Sequence, residues 1–295
     1  MNLYDQQSAN RRRTWLIVLA FVGFLLLLGA GFDAFYVGAA GGYVPVGSIL
    51  ALGVGSVSAL ASYFGGDRAV LAAAGAVPVE EVAAGATEGD ALKLRQLENV
   101  VDEMAIAAGL PRPKVYVVPD PDPNAFATGR GPERASIAVT RGLLDALDRE
   151  ELQGVVAHEL GHVKHDDVLR GLAFLVIVAP LGLLFAGELG AALAKRAGVE
   201  RRGPAALPAY FLGLAVAALV LGVPGNQLSR QVEASADTFA LQLTHDPRAL
   251  IQVQRRLALS SVSDPDPPDV VTALIGTHPS TMDRIGAAVA YEREH

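Results

Sequence analysis

The sequence predicts a mainly α-helical fold in which four transmembrane helices accompany a small α+β domain, and three observations predict it. Four apolar stretches, Trp15 to Phe32, Val44 to Phe64, Gly171 to Ala186 and Ala205 to Val223, each approach the length that crosses about 30 Å of hydrocarbon. Of the 295 residues 51% are hydrophobic, and the mean hydropathy is +0.34, values that soluble domains of this size seldom reach. Between the second and third stretches lies a polar segment whose apolar residues recur first at helical and then at strand spacing.

That polar segment reads in order. From Asp90, the residues Leu94, Leu97, Val101, Met104 and Ala108 recur at threes and fours until Gly109 and Pro111, which predicts an amphipathic helix with a cap and a stop. Lys114 to Val118 alternates as a strand, Asp120 to Pro123 is turn chemistry, Ala125 to Thr128 reads as a short edge strand and Ser136 to Thr140 as another. Leu143, Leu144 and Leu147 predict a short helix. Asp148 is then an N-cap, with Glu150 and Glu151 in the first turn of a longer helix whose Leu152, Val155 and Val156 face a core.

On that longer helix stands His158-Glu159-Leu160-Gly161-His162, an HExxH string. Imidazoles four residues apart share one helix face and can hold a single zinc ion, which leaves Glu159 beside them to take a proton from water at the metal. A catalytic zinc usually has a third protein ligand. Glu233 and Asp237 lie four apart in a later helical segment; Glu233 would complete a His, His, Glu set, and Asp237 could accept the remaining ring N–H of a ligating histidine. Cysteine is absent, so disulfides and thiolate ligands are excluded and the one expected Zn2+ per chain must rest on imidazole and carboxylate. His165 and His245 have no motif around them and read as surface residues. Gly53-Val54-Gly55 resembles a piece of a dinucleotide fingerprint, but it sits within an apolar run and predicts close helix packing instead.

A net charge of −7 and a pI near 5.4, with no basic stripe, argue against nucleic acid as a partner. The run Asp264 to Asp269 alternates acid and proline, as a solvated linker does. Arg11, Arg12 and Arg13 set the N-terminus on the cytoplasmic side by the positive-inside rule, with a cleaved signal peptide as the alternative reading of the first apolar run. His162 and Glu233 must share one side of the membrane, and two apolar runs between them satisfy that parity. Lys195, Arg196, Arg201 and Arg202 in the intervening loop pull the other way, so the second pair is read as a hairpin that spans or only enters the membrane. The division expected is an N-terminal transmembrane hairpin over 1–65, the first part of a catalytic domain over 66–167, the second hairpin over 168–226 and the rest of the catalytic domain over 227–295.

These segments, together with Val139 to Leu147, Asn124-Ala125-Phe126-Ala127-Thr128-Gly129 and His278-Pro279-Ser280, resemble those of HtpX-type membrane zinc metalloproteases, relatives of the CAAX prenyl proteases. The resemblance runs from the first apolar run nearly to the C-terminus. It implies a zincin-like α+β metalloprotease domain containing a small β-sheet and the HExxH helix. It also implies an integral-membrane endopeptidase that degrades damaged or misassembled membrane proteins; the arginine triplet and the span count put its catalytic domain on the cytoplasmic side of the cell membrane, with several passes. By the same resemblance His158, His162 and Glu233 are the zinc ligands, Glu159 the catalytic base and Asp237 the orienting acid. Arg230 matches an arginine before the third ligand, His278 a histidine that helps bind substrate or hold the oxyanion, and Asn124, Ala125, Phe126 and Ala127 an edge strand that pairs with extended substrate. Val232 and Ala234 depart from the family pattern, where arginine and tyrosine are common, which puts substrate positioning in question but no ligand. A prenyl-protease-like processing enzyme and a non-catalytic metal-binding scaffold are the rival readings; oligomeric state is left open.

Overall fold

The computed structural model describes residues 19, 23, 46–165, 167, 185–199, 205, 207–260, 264–268, 272, 276 and 278–294. The apolar runs expected over 15–32 and 171–186 lie outside these, apart from Leu19, Gly23 and residues 185–186. The chain forms two compact units, one of residues 1–66 and 169–224, the other of 67–168 and 225–295.

In the first unit the described elements are helices. α1 (Val46–Ala73) carries the second apolar run, residues 185–196 are helical, and α6 (Leu207–Thr244) carries the fourth; α1 beyond residue 66 and α6 from residue 225 belong to the second unit. The apolar part of α6 has a mean hydropathy of 2.0 and is 12% buried; among the described residues this is the one helix picked out by length and composition as able to cross a membrane. Glycine sets the packing inside this unit. A Cβ on Gly213 would stand 2.5 Å from the Ala186 carbonyl oxygen, so the helix over 185–196 and α6 meet backbone to backbone, as small residues permit between apolar helices. Among the described residues nothing lies within 4 Å of where a Cβ on Gly53 would be, and the apolar runs over 15–32 and 171–184 lie outside them apart from Leu19 and Gly23.

The second unit wraps helices around a four-stranded sheet of order β1-β2-β4-β3. β1 (Val77–Pro78) runs antiparallel to β2 (Lys114–Val118) and was too short to read from sequence. β2 pairs parallel with β4 (Ser136–Thr140), Lys114 opposite Ser136, and β3 (Ala125–Thr128) closes the edge antiparallel to β4 with Ala125 opposite Val139. A single hydroxyl fixes the turn between them: Thr140 Oγ1 donates to Asp122 O at 2.7 Å and accepts from Asn124 N at 2.8 Å and Leu143 N at 3.2 Å.

After the short α2 (Val79–Ala84), α3 (Glu88–Ala108) begins two residues before the expected Asp90, because Thr87 is its cap and accepts from Asp90 N at 3.3 Å. Its Leu94, Leu97, Val100 and Val101 are fully buried in the main core. α4 (Arg141–Ala146) stops one residue short of the expected Leu147. α5 (Arg149–His165) opens with a reciprocal cap: Glu151 N donates to Asp148 Oδ1 at 2.9 Å, and Asp148 N donates to Glu151 Oε2 at 3.0 Å. α7 (Pro247–Ser260) and α8 (Thr281–Glu294) pack on each other through Leu250, Ile251, Ile285 and Ala288.

Candidate active site

α5 is apolar on the face formed by Leu152, Val156 and Leu160, which are buried, and this anchors its opposite line of polar side chains in one orientation. The neighbouring helix comes close because position 161 has no side chain. A Cβ on Gly161 would stand 3.1 Å from Ala236 Cα, so the glycine of the HExxH string lets α6 bring Glu233 and Asp237 over the two histidines.

The donors converge. His158 Nε2 and His162 Nε2 are 3.1 Å apart, and the Glu233 carboxylate lies 3.5 Å from the first through Oε2 and 3.6 Å from the second through Oε1. Separations of this size are those between donors that share one ion about 2 Å from each, the distance at which zinc holds imidazole and carboxylate. The other nitrogens of both rings are engaged: His158 Nδ1 lies 2.9 Å from Asp237 Oδ1, and His162 Nδ1 lies 2.9 Å from Asp167 Oδ2. Acceptors at both Nδ1 atoms assign the proton there and aim the Nε2 lone pairs into the cluster.

The electrostatics favour a cation. Burial disfavours a charged His158 ring, yet the hydrogen bonds to Asp237 and Glu233 outweigh it and push its pKa up to about 9. His278 Nδ1, 3.4 Å from Glu233 Oε2, is likewise raised by that contact against its partial burial. Glu159, 8% exposed, adds negative charge from the same helix. Two Nε2 atoms and a carboxylate brought together in an acid-rich site fit a divalent metal.

The other residues singled out from sequence fall as follows. Arg230 stands one turn before Glu233 and donates to Thr272 O at 2.7 Å and Gly276 O at 2.6 Å, bracing the chain that leads to His278. His278 itself is largely exposed. Asn124 donates its backbone N–H to Thr140, and Ala125, Phe126 and Ala127 lie in the edge strand β3, which runs against α5. His245 is exposed, but His165 is not the surface residue expected: it is half-buried, its ring 5.8 Å from that of Phe239. Two residues were missed. Asp167, five positions beyond His162, holds its ring, and Arg284 binds Asp237 with both arms of its guanidinium, Nε to Oδ2 at 2.7 Å and Nη2 to Oδ1 at 2.6 Å. The spacing of Asp167 from the HExxH string was a signal available in the sequence; Arg284 carried none.

This fold and this donor set define the class, a metal-dependent peptidase. A model of Peptidase family M48 matches residues 91–292, and the chain belongs to that family. It is 32% identical over 307 residues to the protease HtpX homolog of Streptococcus thermophilus (strain ATCC BAA-250 / LMG 18311), covering 96% of this chain and 98% of that one. It is 33% identical over 302 residues to the protease HtpX homolog of Caldanaerobacter subterraneus subsp. tengcongensis, covering 96% of each. The crystal structure of S. mikatae Ste24p shares the fold, with a TM-score of 0.61 at 17% identity over 96% of this chain and 65% of that one. The resemblance read from the motifs is thereby shown.

Proposed function

We propose that the protein is an integral-membrane zinc endopeptidase that hydrolyses peptide bonds in damaged or misassembled membrane proteins, its catalytic unit facing the cytoplasm. The observation that carries this reading is the convergence of His158 Nε2, His162 Nε2 and the Glu233 carboxylate, with Glu159 on the same helix. Those three residues would hold the metal, and a set of two imidazoles and one carboxylate suits zinc. Once bound, it would acidify water and polarise the scissile carbonyl.

The chain's own groups do the rest. Glu159 takes a proton from the attacking water and returns it to the leaving amine, a role that its burial beside the cluster supports. His278 donates to the carbonyl oxygen as negative charge develops there. β3, the last strand of the sheet among the described residues, pairs with extended substrate through backbone hydrogen bonds, which gives affinity with little regard for sequence and suits unfolded clients. Four crossings, with the second pair a hairpin, fit the apolar runs and the parity between His162 and Glu233.

The prenyl-protease alternative has less support, since the chain is 32% and 33% identical to the two HtpX homologues over 96% of its length, whereas its likeness to Ste24p is one of fold at 17% identity. The test is digestion of casein and of an unfolded membrane protein by the detergent-purified chain, with and without chelator, alongside a prenylated peptide. Glu159→Gln is expected to keep its metal and lose cleavage by roughly 10²–10⁴-fold. Undiminished proteolysis in that variant removes Glu159 from the role, and selective cleavage of the prenylated peptide moves the protein to the alternative.

A further inference from the structure

The geometry points to Arg284 as a positioning residue for the metal site: by locking Asp237 it fixes the ring of His158, so that docking of the C-terminal helix α8 becomes a condition for a competent site. This inference rests on the metallopeptidase reading above and adds a residue and a dependence to it.

Asp237 lies at the centre of the arrangement, 4% exposed. Its Oδ1 accepts from His158 Nδ1 at 2.9 Å and from Arg284 Nη2 at 2.6 Å, while Oδ2 accepts from Arg284 Nε at 2.7 Å. A carboxylate held by one imidazole could rotate about its terminal torsion and carry the ring with it. Two parallel charge-assisted bonds from a planar guanidinium remove that freedom. Arg284 is itself held: the amide of Gln254, 5% exposed on α7, faces the guanidinium, and assigning its oxygen to that side lets it accept from Nη1 and Nη2 at 3.2 Å each. The line from Gln254 through Arg284 and Asp237 to His158 therefore joins α7, α8, α6 and α5.

Sequence close by fixes where Arg284 stands. Ser280 and Asp283 cap α8 reciprocally, Asp283 N donating to Ser280 Oγ at 3.0 Å and Ser280 N to Asp283 Oδ2 at 3.3 Å, so Arg284 falls in the first turn. Ile285, Ala288 and Val289 then seat the helix against Leu250 and Ile251. His278, which meets Glu233, precedes the cap by two residues. One helix start thus delivers a group to each of two acidic side chains of α6, and a site built this way is assembled only when α8 is seated.

Zinc affinity of the detergent-purified full chain, measured by competition with a chromogenic chelator, tests this, with circular dichroism and thermal melting to follow the fold. Arg284→Gln is expected to weaken zinc binding 10–100-fold, as loss of an outer partner of a metal-bound histidine does, and Arg284→Lys by less, because it keeps the charge without the fork. Arg248→Gln, which breaks the exposed Arg248–Glu292 ion pair between α7 and α8, should leave affinity within twofold. In an Asp237→Asn background Arg284→Gln should add less than twofold further loss. An affinity for folded Arg284→Gln within twofold of wild type, or losses that simply add in the double variant, overturns the inference while His158→Ala still abolishes binding. A wild-type chain that binds no zinc overturns the metallopeptidase reading and this inference with it. Should Arg284→Gln fail to fold, Arg284→Lys carries the same test, and full affinity there overturns the proposal.

Discussion

In residues 67–168 and 225–295 large apolar side chains build a core, with Leu94, Leu97, Ile137, Leu143 and Leu160 all but inaccessible, and the outward positions hold ion pairs such as Lys93–Asp145 and Arg149–Glu103 with single exposed apolar residues such as Ile106 and Leu259 among them. In residues 1–66 and 169–224 the buried apolar side chains among the described residues are alanines, Ala186, Ala191, Ala194 and Ala217, while Ile49, Val57, Phe64, Phe211, Leu212 and Leu214 turn outward, each around half or more exposed. The same residue types therefore do opposite things in the two units. In water the first pattern is a folded core, whereas the second is stable only where hydrocarbon replaces water around it. Composition averages the two and hides the boundary; the exposure pattern restores it.

The comparison can be broken by substitution. The largest effect should come from the inward-facing unit, where Leu97→Ala removes a fully buried side chain and is expected to lower its unfolding free energy by about 2–5 kcal/mol, read by chemical denaturation in detergent. Next comes a pair that exposes the difference directly. Leu214→Arg in α6 should cost about 3 kcal/mol of membrane insertion, seen as a smaller integrated fraction, while Ile106→Arg in α3, at 79% exposure, should change stability by no more than about 0.5 kcal/mol. Equal, small effects at both positions would mean that the outward face of α6 does not meet lipid. Asp148→Ala breaks the cap that starts α5 and should cost about 1 kcal/mol, measured as a lowered melting temperature.

The smallest effect is electrostatic and belongs to the surface of the catalytic unit. Asp90 is held below the usual carboxylate range by the Thr87 hydroxyl and then by Arg141, and Asp145 by Lys93 and then by Arg141. Because both folded-state values are depressed, their contribution is present above the unfolded value of about 3.9 and fades as the pH falls through the folded values. Melting between pH 7 and pH 3 should show slightly less loss in Asp90→Asn than in wild type. An identical acid slope would remove that pair from the account.

What could be read from sequence follows the reach of each interaction. The HExxH histidines and the Glu233/Asp237 pair were visible because helical spacing of four puts side chains on one face, and the Asp148 cap because it acts within three residues. The edge strand β3 was legible from its turn on one side and its short length. Thr87 was missed because Asp90, itself a good capping residue, stood nearby and donates to it rather than capping. His165 was misread because nothing local foretells its packing on Phe239 from another helix. Arg284 meets its partner across 47 positions, and only the docking of α8 on α7 brings it there.

Zinc content per chain, determined by plasma mass spectrometry on wild type and Glu233→Ala after equilibration in buffered zinc, tests the central claim most directly. If α5 and α6 deliver three donors to one cation, wild type will hold one equivalent and the variant only a small fraction of it. Equal occupancy in both proteins would contradict the account.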